Sequence, residues 1–248
     1  MKALVFAAGL GTRLRPLTDT MPKALVPVGG LPLLAHTLNR LIAQGATEIV
    51  VNVHHFSEQI IAYLDKHDFG VPVRVSDETA RLLDTGGGLR KALSLFQTEP
   101  EKPVLIHNVD ILSNAPLRQF YEEHLSDDAS LMVSQRTTSR LLFFDEGMRL
   151  CGWKNVSTGE ARGFLSLEEA QTCSSFAFSG IHLVSPRLLH VLSNYGECFP
   201  IMHFYLSECH RLRIVGHCVS GLQLLDVGKT AALEQAETFA QAYCSIQD

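Results

Sequence analysis

The sequence predicts a three-layer αβα fold with a mostly parallel central sheet and a few antiparallel additions. Two patterns predict it. Through the first half, short apolar runs alternate with amphipathic segments, the signature of parallel strands covered by helices on both faces. After Asn114 the pattern shifts to short β-rich pieces, which suit antiparallel strands added to that sheet.

The spacing predicts strands over Lys2–Ala7, Glu48–Val53, Val71–Val75 and Val104–Asn108. Between them Leu31–Gln44 sets Leu34, Leu38, Leu41 and Ile42 on one helical face, with Pro32 in the first turn and Gly45 as the stop. Phe56–His67 repeats the pattern with Ile60, Ile61 and Leu64, and a third helix is expected from about Gly87 to Phe96. The β-rich pieces are Ala129–Gln135, Arg140–Phe144 and Ser175–Val184. Leu188–Leu192, His203–Leu212 and Lys229–Tyr243 read as helices, and Arg213–Val219 and Leu222–Asp226 as closing strands. The polar stretch Asp145–Cys173 reads as an insertion or loop.

With 248 residues, 46% of them hydrophobic, the chain can bury a large core as a single domain. A net charge of -5 and scattered Lys and Arg exclude a massed basic surface, so nucleic acid is not an expected partner. No apolar run is long enough to span a bilayer, and the opening MKALVFAAGL is followed by Arg13 and Arg15 without a cleavage site. Six cysteines without a paired or metal-finger spacing fit reduced thiols, so a cytoplasmic protein is expected. The histidines and cysteines of CHRLRIVGHC are read as packing rather than zinc ligands. Nothing in the sequence marks an oligomer interface.

The first strand runs into AAGLGTRLRPLTDTMPK (Ala7–Lys23), a glycine-bearing turn with Arg13 and Lys23 nearby. Such a turn lets backbone N–H groups approach phosphate oxygens, and the two cations add charge that backbone dipoles lack. Gly9 and Gly11 alone would also suit a plain tight turn. A dinucleotide-binding turn would need glycine where Leu14 stands, and a Walker loop would need G-K-[ST]; neither occurs. Asp110 follows the strand VLIHN at the carboxyl end where open α/β sheets bind ligands, and Asp226 ends LQLLD. Together they could hold a hard divalent ion, although either could equally cap a turn or helix.

The run FAAGLGTRLRPLT followed by PKALVPVGGLPLL resembles the signature of the sugar-1-phosphate nucleotidyltransferase family. Length and the run DTGGGLRKAL are most similar to the short bacterial N-acetylmuramate 1-phosphate uridylyltransferases of cell-wall recycling. Mannose-1-phosphate guanylyltransferases share the opening signature. The resemblance implies a Rossmann-like nucleotidyltransferase fold, with a nucleotide-binding half over about 1–114 and a sugar-binding half over about 115–248. It implies transfer of a nucleoside monophosphate from a nucleoside triphosphate to a sugar 1-phosphate, releasing pyrophosphate. UTP is the expected donor; a mannose- or heptose-1-phosphate guanylyltransferase and a non-catalytic sugar-nucleotide binder are the alternatives.

Carried over position by position, it implies Arg13, Lys23 and Asp110 as catalytic residues and Mg²⁺ on Asp110 and Asp226. Nucleotide contacts are implied at Ala7, Ala8, Gly9, Gly11, Thr12, Arg13, Lys23 and Asn108, with base contacts around Asp77–Arg81. Sugar contacts are implied at Thr85, Gly86 and Gly87 in DTGGG and at Ser179 and Gly180 in FSGIH. The family's E-K-P lysine is missing, and Lys154 is the nearest candidate by position. Leu224 and Leu225 stand where relatives carry an aromatic residue.

Overall fold

The structure, a computed structural model, describes residues 1–99, 101–163 and 172–243. In chain order its first part comprises β1 (Lys2–Phe6), the hairpin β2 (Pro27–Val28) and β3 (Leu31–Pro32), α1 (Leu33–Ala43), β4 (Glu48–Val53) and α2 (Ser57–Asp65). It continues with β5 (Val73–Asp77), α3 (Asp84–Leu93), β6 (Val104–Asn108), β7 (Ile111–Ser113) and α4 (Leu117–Glu123). The second part holds β8 (Ala129–Ser134), β9 (Arg140–Phe144), β10 (Leu150–Asn155), β11 (Ala161–Gly163) and β12 (Ser174–Val184). It ends with α5 (Leu189–Leu192), α6 (Ile201–Glu208), β13 (Ile214–Cys218), β14 (Leu224–Asp226) and α7 (Leu233–Tyr243).

Strands β5, β4, β1 and β6 form the parallel heart of the sheet. Successive side chains point to opposite faces, so each strand feeds two cores. Ala3, Val5, Ile49, Val51 and Leu105 pack on one side with Leu34, Leu38 and Ile60 of the covering helices. Leu4, Val50, Val104 and Ile106 pack on the other with Leu89 and Phe204. Burial on both faces explains why these strands read as unbroken apolar runs.

The antiparallel additions start at β12, which pairs with β6 through Ile181 and His107. Residues from both halves of the sequence therefore share one sheet. Beyond β12 lie β9, β10 and β11, while β8 and β13 extend its other end. The stretch expected to be a loop after Asp145 thus contains two strands, β10 and β11. Their outer residues are polar and β11 is exposed, so they show no apolar run to read. The rest of that stretch, 164–171, lies outside the described residues.

Some boundaries differ for physical reasons. Helix α1 starts after Leu31 and Pro32, which pair with Val28 and Pro27 in the hairpin. Gly45 ends it with a φ of 94°, as a helix stop requires. Helix α3 begins at Asp84, so Gly86, Gly87 and Gly88 lie within its first turns rather than before it. Short α4 and β7 were not read from the sequence. Among the described residues, no helix is long and apolar enough to cross a membrane.

Candidate active site

The phosphate loop leaves β1 at the middle of the sheet and is held from both sides. Beneath it, Leu14 is fully buried in a small core with Val26, Val28, Leu33, Leu112 and Val227. Above it, Asn52 at the end of β4 accepts the Ala7 and Ala8 N–H groups on Oδ1, at 2.7 and 3.2 Å. The Asn52 amide nitrogen donates in turn to buried Glu78 Oε1 at 2.9 Å. Glu78 Oε2 accepts the Leu83 N–H at 3.0 Å, tying the loop to the start of α3.

The Ala7 and Ala8 amides are thus occupied by the chain itself. The amides of Gly9, Leu10, Gly11, Thr12 and Arg13 have no hydrogen-bond partner among the described residues. Gly11, at φ 65°, turns the chain; Thr18 Oγ1 donates to its carbonyl at 2.8 Å. A run of unpaired N–H groups on a turn forms an anion cradle. Nothing lies within 4 Å of the position a Cβ on Gly9 would take, so the cradle is open there.

A cavity of about 460 Å³ opens over this loop, lined by Gly9, Thr12, Arg13, Lys23, Asn108 and Asp110 among others. Lys23, nearly buried, forms an ion pair with Asp110 at its floor. Arg15 instead pairs with Asp19 at 3.2 Å on the surface. His107, one residue before Asn108, is buried, and that burial pulls its pKa down to about 4. It is a neutral support beside the site.

Asp226 comes to the same region through β14, which pairs antiparallel with β7 so that Asp226 opposes Ile111. The Val227 N–H then donates to the Asp110 carbonyl at 2.8 Å. Asp226 lines an adjoining cavity of about 340 Å³ that shares Arg13 and Gly228 with the larger one. Gly228 lies where the two linings meet. A Cβ there would stand 2.6 Å from Asp226 Oδ1 and 2.8 Å from an Arg13 guanidinium nitrogen. A larger residue there would displace the ends of both side chains. Asp110, in the turn between β6 and β7, and Asp226, at the end of β14, offer the carboxylate oxygens a hard divalent ion takes. The residues present therefore fit such an ion.

A second cavity of about 470 Å³ adjoins the first, sharing Phe6, Thr85 and Asn108. One wall is a single face of the β9–β10–β11 sheet. Register pairs Asn155 with Arg140 and Trp153 with both Leu142 and Arg162, and these residues line the cavity. The Arg162 guanidinium lies 5.9 Å over the Trp153 ring and bonds Glu160 at 2.6 and 2.9 Å. The Arg140 side chain has no hydrogen-bond or ion-pair partner among the described residues. The opposite wall is α6 with Ile201, His203 and Leu206, and the floor holds Phe178 and His182. Burial lowers the His182 pKa to about 3, and its Nδ1 lies 2.9 Å from the Tyr205 hydroxyl.

The structure thus brings Gly9, Gly11, Thr12, Arg13, Lys23, Asn108, Asp110 and Thr85 to one cleft, with Ala7 and Ala8 in its wall. The structure places the other residues expected on the sugar side outside the cavity linings. Lys154 alternates with Trp153 and Asn155 along β10 and pairs with Leu141 and Ala161, so it belongs to the opposite face of the sheet and does not line the cleft. Gly86 and Gly87 do not line it either. Their missing side chains admit the chain itself: a Cβ on Gly86 would meet the Phe199 ring at 2.2 Å, and one on Gly87 the Glu197 carbonyl at 2.1 Å. Gly180 sits at φ 75° where the β12–β8 register shifts, and a Cβ there would meet the Asn108 amide at 2.9 Å. With buried Ser179 it lies behind Asn108, outside both cavity walls. Glu78 falls within the expected base-contact stretch Asp77–Arg81, whereas Asn52, Arg140, Trp153 and Arg162 were not read from the sequence. Asn52 alone carried a signal, as a polar residue inside the apolar run EIVVNV.

An open α/β sheet whose strand ends present, among the described residues, a run of free amides with Arg13, Lys23 and Asp110 beside them has the features of an enzyme class that works on nucleoside polyphosphates. Residues 2–140 match the nucleotidyl transferase family. The N-acetylmuramate alpha-1-phosphate uridylyltransferase of Caulobacter vibrioides is 35% identical over 197 residues, covering 75% of this chain and 76% of that protein. Its counterpart in Neisseria meningitidis serogroup B is 31% identical over 250 residues, covering 98% and 100%. The crystal structure of HddC from Yersinia pseudotuberculosis shares the fold, with a TM-score of 0.76 at 19% identity, covering 96% of this chain and 98% of that one. The chain belongs to the nucleotidyl transferase family and is a sugar-1-phosphate nucleotidyltransferase.

Proposed function

We propose that this enzyme transfers the uridylyl group of UTP to N-acetylmuramate 1-phosphate, or to a closely related acidic sugar 1-phosphate, in the cytoplasmic reuse of cell-wall sugar. The observation that carries the acceptor is Arg140, a cation without a hydrogen-bond or ion-pair partner among the described residues, on the wall of the second cavity, which Lys23 and Asp110 do not line. N-acetylmuramate carries a carboxylate that neutral hexoses lack, and a guanidinium is the side chain suited to receive it. Trp153, stacked beneath Arg162, offers a flat surface to the sugar ring. The names of the two uridylyltransferases at 31% and 35% identity support the same reading.

In this reading the free amides from Gly9 to Arg13 and the Arg13 guanidinium hold the β- and γ-phosphates. Lys23 turns from Asp110 to the α-phosphate. Asp110 and Asp226 would hold Mg²⁺, which when bound neutralises the phosphates that must meet. Asn108 and Thr85, common to both cavities, mark where the two substrates touch. A phosphate oxygen of the sugar 1-phosphate attacks the α-phosphorus in line; a P–O bond forms, and the bond to the β-phosphate breaks with its electron pair leaving on pyrophosphate. The nucleophile is already an anion, so the chain positions and neutralises charge rather than removing a proton. The base lies toward Asn52 and Glu78 in the nucleotide cavity.

A matrix of nucleoside triphosphates against sugar 1-phosphates, read by product mass, tests the proposal. UDP-N-acetylmuramate as the dominant product supports it. A GDP-sugar from mannose or heptose 1-phosphate would reassign the enzyme as a guanylyltransferase.

A further inference from the structure

The geometry points to a second metal site, in which Glu123, His124 and His217 hold a first-row transition ion of the Zn²⁺ type. Glu123 ends α4, His124 follows it, and His217 lies on β13; none of them lines any of the cavities around the cleft. One ligand atom from each lies within 4.8 Å of the others. His124 Nε2 and His217 Nδ1 face each other at 2.9 Å, and Glu123 Oε2 is 3.8 Å from His217 Nδ1. These spacings bracket the roughly 3.3 Å edge of a tetrahedron with metal–nitrogen bonds of about 2.0–2.1 Å.

The surroundings orient each ligand. His124 Nδ1 bonds to Asp127 Oδ2 at 2.7 Å. A carboxylate only accepts, so the proton sits on Nδ1 and the Nε2 lone pair faces inward, the carboxylate–histidine–metal arrangement. Asp127 is itself fixed by Ser130 at 3.0 Å and by Arg213 at 2.6 Å. Gln119 donates to Glu123 Oε1 at 2.8 Å, leaving Oε2 for the ion. Phe120 stands 5.2 Å from each imidazole and walls one side. Two imidazole nitrogens and one carboxylate suit Zn²⁺ or Co²⁺ far better than Mg²⁺. The site joins the end of α4 to strand β13.

The test uses the full chain, stripped with chelator and titrated with Co²⁺ without nucleotide. Wild type is expected to take up one equivalent with the visible absorption of a tetrahedral ion, displaced by Zn²⁺. The double variant Asp110→Asn, Asp226→Asn should show the same spectrum, because the cleft carboxylates do not contribute. His124→Ala and His217→Ala should abolish it, and Asp127→Asn should weaken binding roughly 10- to 100-fold. His217→Ala should keep its Mg²⁺-dependent transferase activity, showing that it folds. Zn²⁺ at a hundredfold excess over its Kd should also raise the wild-type melting temperature by about 5 °C or more. Absence of the Co²⁺ spectrum in wild type, its survival in His217→Ala, or its loss only in the cleft double variant would overturn the site. None of these outcomes depends on which sugar the enzyme uses.

Discussion

Lys23 Nζ and Asp110 Oδ2 form an ion pair at the floor of the nucleotide cavity, with side chains only 10% and 21% exposed. In the proposed mechanism both must exchange this partner, Lys23 for a phosphate and Asp110 for a metal ion. The pair keeps two opposite charges satisfied in a partly desolvated place until substrates replace them. Lys23→Ala and Asp110→Asn should each lower kcat by about 10²–10³ while the fold survives. Steady-state pyrophosphate release alongside circular dichroism checks this, and near-normal turnover in either variant rules out the assigned role.

Asn52 is the anchor of the loop. Asn52→Leu leaves the Ala7 and Ala8 amides and one Glu78 oxygen without their partner. Losing such buried hydrogen bonds should cost about 1–3 kcal/mol. Urea unfolding should show that loss, and KM for the nucleotide should rise because the cradle is no longer held. Unchanged stability would mean that the loop is fixed by Leu14 alone.

Two glycines should respond in opposite ways. Gly86→Ala drives a methyl group into the Phe199 ring and carbonyl, at 2.2 and 2.8 Å, and should destabilise by about 1–3 kcal/mol. Gly9→Ala meets no atom within 4 Å and should unfold like wild type, yet it places a methyl group in the phosphate cradle. Comparing unfolding midpoints with nucleotide KM separates the two effects.

The acceptor reading rests on arginine. Arg140→Ala should raise KM for N-acetylmuramate 1-phosphate about 10- to 100-fold, the worth of one charge-assisted contact, and leave a neutral sugar 1-phosphate little affected. Equal losses with both sugars would show that Arg140 does not read the acid group.

Buried histidines set a pH dependence. His182 and His107 are neutral in the fold, with pKa values lowered by burial to about 3 and about 4, against 6.5 for an ordinary imidazole. Below pH 6.5 the unfolded chain binds protons that the folded chain refuses. Their stabilising effect is therefore full above pH 6.5 and declines as pH falls toward 3, by at most roughly 1.4 kcal/mol per pH unit for each histidine. Urea midpoints at pH 7, 6 and 5 should fall steadily. His182→Asn should flatten that slope, whatever its effect on absolute stability.

Much of the fold was legible because burial on both faces leaves a mark. β4, β6 and β9 fall at the residues the apolar runs predicted. The start of α3 was misread because glycine suggests a turn, whereas here it lets a helix press against the segment around Phe199. In the site, the loop and both aspartates stood in local patterns. Arg140, Trp153 and Arg162 stood in none, because what unites them is cross-strand register in β9, β10 and β11. Lys154 stands at the expected place in the chain, but the alternation of β10 turns it to the other face of the sheet.

The most direct test of the account is a crystal of the enzyme grown with a non-hydrolysable UTP analogue and Mn²⁺, mapped by anomalous scattering. One Mn²⁺ is expected bonded to both Asp110 and Asp226 and to the α-phosphate, with Lys23 withdrawn from Asp110 and the amides from Gly9 to Arg13 on the outer phosphates. A metal bound by only one of these carboxylates, or a triphosphate lying away from the loop, would contradict it.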